Sequence, residues 1–164
     1  MMIVVKKQEK TGFTLVELLV VIGIMSILTI VSVAQFGTAR KRARDTQRKG
    51  DISAVSRALL SYYADQGAFP AILDLTAGGE LRNPSGDYIY MKVLPKENYG
   101  TLGIPNYCYV VDSSLTKFGL FAQLETATDA DCKTPAYVHC TGNNYCFATV
   151  SPNTTATELG GTNP

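Results

Sequence analysis

This sequence of 164 residues has few side chains that could carry out chemistry together. Its one histidine, His139, adjoins Cys140, and a catalytic Cys–His pair needs side chains that meet. Neighbours in an extended strand point to opposite faces, so these two cannot meet locally. The sequence also lacks the G-x-S-x-G, H-E-x-x-H and phosphate-binding glycine motifs. We therefore predict that the protein is not an enzyme.

The four cysteines all lie in the C-terminal part, at positions 108, 132, 140 and 146. An even number clustered beyond an apolar segment indicates disulfides in an oxidising compartment. Zinc is the alternative, but it favours pairs such as C-x-x-C, and the gaps here are 24, 8 and 6 residues. The stretch TGNNY is a suitable hairpin connection across which Cys140 and Cys146 could pair, which would leave Cys108 with Cys132. Four cysteines permit three connectivities, and the other two stay open.

One carboxylate, Glu17, lies inside an apolar run of 24 residues, from Phe13 to Phe36. As a helix the run is about 36 Å long, and a bilayer core is roughly 30 Å thick. An acid alone in lipid is unfavourable, so Glu17 should have a partner or should reach the headgroups.

Two simple interpretations of this run conflict with other features. A signal peptide would fit a basic start (Lys6, Lys7 and Lys10) and the cleavage-like sequence Ser32-Val33-Ala34, but the run is too long and holds an acid. In a plain membrane anchor, the flank that is richer in Lys and Arg stays in the cytoplasm. Here that flank follows the run, so the C-terminal part would stay in the cytoplasm. Disulfides would not be expected there.

A third interpretation accounts for Glu17. The residues Gly12-Phe13-Thr14-Leu15-Val16-Glu17, behind a short Lys-bearing leader, resemble the prepilin-peptidase site of type IV pilins and type II secretion pseudopilins. The resemblance implies cleavage between Gly12 and Phe13 and methylation of the new Phe13 amine. It also implies that Glu17 pairs with the positive N-terminus of a neighbouring subunit during assembly. Many pilins carry a proline near the end of this segment, whereas this chain has Ala34.

The absence of proline between Phe13 and Pro70 predicts one helix from Thr14 to about Gln66, stopped at Gly67. Its second half is amphipathic, and an apolar stripe at helical spacing should bury against a sheet. That stripe consists of Ile52, Val55, Leu59, Tyr62 and Tyr63. Upstream, the corresponding stripe consists of small residues that permit close approach of another helix: Ala39, Ala43, Thr46 and Gly50.

A charge cluster from Arg40 to Asp51 holds six basic and two acidic residues, although the whole chain has a net charge of only +1. The cluster could contact DNA or phospholipid headgroups. The alternative is a solvated helix face, with weak pairs at i,i+4 between Asp45 and both Lys41 and Lys49. The sequence therefore permits nucleic acid as a partner but does not demonstrate that the protein binds it.

Beyond Pro70 the pattern changes to short strands bounded by turn residues, which predicts an antiparallel meander. The stretch 71–86 reads as a loop with a short helical piece. The fold class is α+β, a long N-terminal helix packed on a small antiparallel head. The predicted parts are a leader (1–12), a transmembrane or filament-core helix (13–36), an amphipathic helix (37–69), a β-rich head (70–150) and a flexible polar tail (151–164).

Major pseudopilins often bind calcium through a loop of the head, and the resemblance places the corresponding candidates here at Glu125, Asp129 and Asp131. No other cofactor is expected. The resemblance favours a pilus subunit, made in the inner membrane with prepilin peptidase, an assembly platform and related subunits as partners, and ending in an extracellular filament. The alternatives are a periplasmic pseudopilus subunit, a membrane-anchored binding module that never polymerises, and a secreted soluble protein.

Overall fold

The computed structural model of the chain describes residues 12–75, 78–96, 107–126, 128–132, 137–139 and 143–159. The chain divides into two compact units, Met1–Arg40 and Lys41–Pro164. The elements are one long helix followed by short antiparallel strands, which confirms the predicted α+β class.

Helix α1, Leu15–Gln66, has 52 residues and has the predicted extent. It ends where Gly67 adopts the left-handed conformation, with a φ of 72°. The Gly67 amide donates to the Tyr63 carbonyl at 2.8 Å, which satisfies one of the last helical acceptors. The predicted stop at Gly67 is therefore confirmed, and its cause is a conformation that other residues adopt only at a cost.

In the first unit, the large apolar side chains between Leu15 and Ile30 are 45 to 80% exposed. The hydroxyls of Ser26, Thr29 and Ser32 donate to the carbonyl four residues earlier, at 2.7 to 2.9 Å. Such bonds satisfy hydroxyls in apolar surroundings. Within the described residues no single helix is long and apolar enough to cross a membrane. Two helical segments joined by a bend, Leu15–Ile30 and Gln35–Gln66, are together sufficient by length and composition. The membrane span at 13–36 stays a prediction.

Seven strands are described in the second unit, and all their pairings are antiparallel. They are β1 Leu81–Arg82, β2 Ile89–Met91, β3 Tyr107–Val111, β4 Phe118–Ala122, β5 Tyr137–His139, β6 Asn143–Tyr145 and β7 Phe147–Val150. The runs predicted as strands contain β2 to β5 and β7. Strand β6 lies in the stretch 141–145 that was predicted as a hairpin connection, and the last predicted run begins only at its second residue. Strand β1 lies in the stretch that was predicted as a loop, and the described part of that stretch contains no helix.

The strand order differs from a meander. Strands β1 and β2 pair with each other, β3, β4 and β7 form a three-stranded sheet in that order, and β5 pairs with β6. The β5–β6 hairpin is thus inserted between two strands that are neighbours in space. The meander prediction was wrong because short strands do not reveal whether the next strand in sequence is also the next in the sheet.

The main core lies between α1 and one face of the three-stranded sheet. The predicted stripe is buried as expected: Ile52, Val55 and Leu59 are at most 1% exposed, Tyr62 is 7% exposed, and Tyr63 is half-buried. Facing them are alternate residues of the strands, which are Tyr107, Phe118, Leu120 and Ala122. The upstream stripe of small residues at 39, 43, 46 and 50 is exposed in this chain.

A second, smaller core covers the opposite face of the sheet. It consists of Cys108, Phe121 and Tyr145, with Ala156 packed against them. The amide of Ser151 donates to the Phe118 carbonyl at 2.9 Å, which continues the pairing beyond β7. Residues 151–159 thus contact the head, in contrast to the free tail expected from residue 151.

Candidate functional site

The start of α1 is held by a reciprocal pair of side chains, Thr14 and Glu17. The Thr14 hydroxyl oxygen accepts from the Glu17 amide at 3.2 Å. The Glu17 carboxylate accepts from the Thr14 amide at 2.9 Å and from its hydroxyl at 3.0 Å. This is a capping box, which satisfies donors that the first helical turn leaves without partners.

The capping box fixes the position of the predicted processing site relative to the helix. Gly12 and Phe13 lie before the first helical residue, and the Phe13 side chain is 85% exposed. The Gly12–Phe13 peptide is therefore non-helical and accessible in this chain. The capping role of Glu17 was not predicted, although the Thr-x-x-Glu spacing is the signature of a capping box.

A cluster of ion pairs joins α1 to the loop that follows β4, residues 123–132. Its centre is Asp45, which is 1% exposed. The Asp45 carboxylate accepts from the amides of Glu125 and Thr126, both at 2.9 Å, and from the Arg48 guanidinium at 2.8 Å. A helical side chain thus holds the first residues of the loop through their backbone.

Glu125 is paired with two guanidinium groups. Arg44 donates to both of its carboxylate oxygens, at 2.7 and 2.6 Å, and Arg48 donates at 2.8 Å. The hydrogen bonds from Arg44 lower the pKa of Glu125 to about 2; burial opposes this effect and Arg48 adds to it. Glu125 therefore carries a full negative charge at neutral pH.

Lys49 pairs with two carboxylates farther along the same loop. Its ammonium lies 2.6 Å from Asp129 and 2.7 Å from Asp131, and 5.8 Å from the centre of the Phe147 ring. Burial opposes the charged form of Lys49, but the hydrogen bonds to Asp129 and Asp131 raise its pKa overall. The hydrogen bond from Lys49 and that from the Asp131 amide lower the pKa of Asp129.

These contacts differ from the ion pairs that were predicted within the charge cluster from Arg40 to Asp51. The expected pairs of Asp45 with Lys41 and Lys49 are replaced by its pair with Arg48, three residues away. Arg48 is also buried, at 2% exposure, where a solvated face was expected. The cations reach acids of their own chain, because the loop after β4 passes over this part of the helix.

The three calcium candidates do not converge on one point. Glu125 binds Arg44 and Arg48, whereas Asp129 and Asp131 bind Lys49. Among the described residues, no group of three or more His, Cys, Asp and Glu side chains could hold a metal ion. The prediction of a calcium ligand set therefore has no geometry to support it in the described part of the loop.

The disulfide pairing predicted from the hairpin was wrong. Cys132 bonds Cys146, with their Cα atoms 4.6 Å apart, and Cys108 is also disulfide-bonded. The register pairs Ala122 of β4 with Phe147 of β7, so the loop leaving β4 runs beside the residue before β7. Cys146 lies at the end of the β5–β6 hairpin away from its turn, because Tyr137 pairs with Tyr145 there.

The remaining chemical candidate, His139, lies in β5. Its neighbour Cys140 lies outside the described residues, so the pairing of these two side chains is not tested. The described cysteines at 108, 132 and 146 are all disulfide-bonded, and none of them is a thiol.

Comparisons with known proteins agree with the motif at the start of the helix. A family model described as the prokaryotic N-terminal methylation motif matches residues 8–33. The type II secretion system core protein G of Pseudomonas aeruginosa is 30% identical over 125 residues, which is 71% of this chain and 84% of that protein.

Two further relatives match shorter stretches. Fimbrial protein EcpC of Eikenella corrodens is 31% identical over 98 residues, 60% of this chain and 61% of that protein. The core protein G of Vibrio cholerae is 33% identical over 103 residues, 58% of this chain and 69% of that protein. No solved structure matches the chain.

Proposed function

From the premise that this chain belongs to the family of type IV pilins and type II secretion pseudopilins, we propose that it is the repeating subunit of a type IV pilus. The observation that carries the proposal is the apolar surface of α1 between Leu15 and Ile30, which the described residues of this chain leave exposed. Such a surface needs lipid before assembly and other helices afterwards.

The proposed life cycle begins with membrane insertion of residues 13–36. Prepilin peptidase then cuts between Gly12 and Phe13, and the new Phe13 amine is methylated. The exposed, non-helical backbone at Gly12 and Phe13 supports this step, because a peptidase must reach the bond that it cuts. An inner-membrane platform would then move the subunit into the growing filament, with the head outside the cytoplasm, where its disulfides persist.

Glu17 is the residue to which we assign subunit recruitment. A carboxylate in an apolar environment is stabilised by a positive partner, and cleavage creates a positive amine on Phe13 of each subunit. In the uncut chain, the same carboxylate caps the helix through Thr14. The capping role and the recruitment role can be separated by substitution.

Two substitutions make this separation. Glu17→Gln removes the charge but keeps the capping box, which accepts Gln at this position. Thr14→Ala removes the cap hydroxyl but keeps the carboxylate. We expect Glu17→Gln to be inserted and cut at Phe13 yet to form no filaments, and Thr14→Ala to form them. Normal filaments from Glu17→Gln, together with their loss in Thr14→Ala, would assign Glu17 to capping alone.

The experiment that tests the proposal as a whole is immunogold electron microscopy of filaments sheared from the native host, with intact-mass analysis of the subunit. Labelled surface filaments whose subunits begin at a methylated Phe13 are the expected result. A membrane protein with filament-free cells would instead indicate either a pseudopilus subunit or a binding module that does not polymerise.

The second candidate is a pseudopilus subunit of type II secretion. The similarity to core protein G over 84% of its length favours it. In that case, deleting the gene would block export of secreted enzymes, and surface filaments would be absent at native expression. The pilus proposal predicts normal export and lost filaments in the same deletion strain.

A further inference from the structure

We infer that cations of α1 take the place of calcium: Arg44, Arg48 and Lys49 supply the positive charge that fastens the 123–132 loop, so the head folds without a divalent metal. This inference goes beyond the proposed function, because it concerns the head alone and holds for a pilus or a pseudopilus. It follows from what the acids of the loop contact.

The carboxylates that a calcium ion would need are already paired with side-chain cations. Calcium takes six to eight oxygen ligands, several of them from carboxylates. Here both oxygens of Glu125 accept from guanidinium groups, and Asp129 and Asp131 share one ammonium. A calcium ion would have to displace cations fixed on α1, one of which, Arg48, is 2% exposed.

The loop is also fastened along its whole described length. Asp45 holds its start through the amides of Glu125 and Thr126. The amide of Asp131 donates to the Asp129 carboxylate at 2.9 Å, which orders the stretch beside Lys49. Cys132 closes it through the disulfide to Cys146. A metal would therefore add no constraint that these contacts lack.

Two neutral oxygens of this loop, Gln123 Oε1 and Thr126 Oγ1, are buried and lack a hydrogen-bond partner in the described part of the chain. Neither carries charge, and a water molecule would satisfy each of them. They do not make the loop a metal site, because the three carboxylates point to side-chain cations.

The test is thermal unfolding of the full chain in detergent micelles, with calcium chloride, magnesium chloride or EDTA. A ligand that binds only the native state raises Tm, and about 10 mM calcium would saturate even a weak extracellular-type site. We expect the same Tm in all three solutions. A Tm that rises with calcium but not with magnesium, or falls with EDTA, would overturn the inference.

A second variant tests the assignment to Lys49. Lys49→Gln leaves Asp129 and Asp131 facing each other without a cation, so its Tm should lie below that of the wild type in EDTA. Lys92→Gln is the matched control, because Lys92 is exposed in the same unit. Equal Tm values for the two variants would show that Lys49 does not fasten the loop. Neither outcome depends on filament formation.

Discussion

At the scale of single residues, Asp45 is the side chain on which the head depends most. We predict that Asp45→Asn lowers the free energy of unfolding by about 3 kcal/mol, the lower end for a broken buried ion pair, because Arg48 loses the Asp45 carboxylate but keeps Glu125. The amide also has only one oxygen for the two loop amides that Asp45 now binds. Urea denaturation followed by circular dichroism would measure the change.

The control for this substitution is Asp87→Asn, an exposed carboxylate in the same unit. Its free energy of unfolding should stay within about 0.5 kcal/mol of the wild type. If the two variants unfold at the same urea concentration, the buried cluster contributes nothing, and the role given to Asp45 is wrong.

Glu125 gives the head a defined response to acid. Its pKa, lowered by the Arg44 hydrogen bonds, is about 2 in the folded chain, against an ordinary value of 4.5. A group with a lowered folded pKa stabilises the fold above its unfolded pKa, and that contribution is lost as pH falls from about 4.5 towards 2. We therefore expect Tm to be flat from pH 7 to 5 and to fall below pH 4.5.

Glu125→Gln tests this origin of the acid response. The variant should have a lower Tm at pH 7 and a shallower fall between pH 4.5 and 2. Some slope should remain, because the Ser114 hydroxyl lowers the pKa of Asp112 to about 2 as well. Parallel Tm profiles for the variant and the wild type would exclude Glu125 as a source of the response.

The buried charges mark where sequence reasoning failed at this scale. Charged residues on a helix are usually solvated, so the cluster from Arg40 to Asp51 was assigned to the surface. The spacing held a signal nonetheless: Asp45 and Arg48 continue the stripe of Ile52, Val55 and Leu59 upstream at intervals of three and four residues. Their burial is possible because the 123–132 loop, about 80 positions away, supplies backbone amides to Asp45 and the Glu125 carboxylate to Arg48.

At the scale of elements, the positions of the helix and strands could be predicted from the sequence better than the pairing of the strands. The helix was predictable because proline is absent and Gly67 stops it, and β2 to β5 and β7 were predictable from short β-branched and aromatic runs between turn residues. Strand β6 was not, because its sequence Asn143-Asn144-Tyr145 has the composition of a turn. The pairing of β4 with β7 was not, because it is a long-range contact that leaves no local pattern. The disulfide prediction failed for the same reason, since it assumed pairing across the nearest hairpin.

The turn between β3 and β4 contains a strained residue that local propensity would not place there. Leu115 has a φ of 58°, in the left-handed region, which costs roughly 1 to 2 kcal/mol for a residue with a Cβ. The surroundings impose it: Asp112 accepts from the amides of Thr116 and Lys117, and the Leu115 carbonyl accepts from Phe69.

We predict that Leu115→Gly is more stable than Leu115→Ala by about 0.5 to 1 kcal/mol, since glycine avoids the strain but has greater freedom when unfolded. Both variants lose the same side-chain contacts beyond Cβ, so their difference isolates the backbone. Thermal unfolding of the pair would measure it. A more stable alanine variant would mean that the left-handed conformation at residue 115 is not imposed by the turn.

At the scale of the whole molecule, the two units place their apolar residues differently. The first unit exposes its large apolar side chains from Leu15 to Ile30, whereas every residue of the two cores belongs to the second unit, from Ile52 onwards. The capping box with Glu17 and the proposed processing site lie on the first unit, and the Cys132–Cys146 disulfide and the ion pairs of Asp45, Glu125 and Lys49 lie on the second. The residues proposed for insertion and assembly therefore lie outside the unit that holds the two described cores.

This division predicts that a chain beginning at residue 41 folds by itself. Exported to an oxidising compartment, it should be soluble without detergent and monomeric by size exclusion with light scattering. It should also unfold cooperatively, because it keeps both cores, Asp45 with its partners and the Cys132–Cys146 disulfide. The full chain, with its exposed apolar helix, should need detergent under the same conditions. Aggregation of the shortened chain, or a melt without a cooperative transition, would mean that residues 1–40 take part in folding the head as well as in assembly.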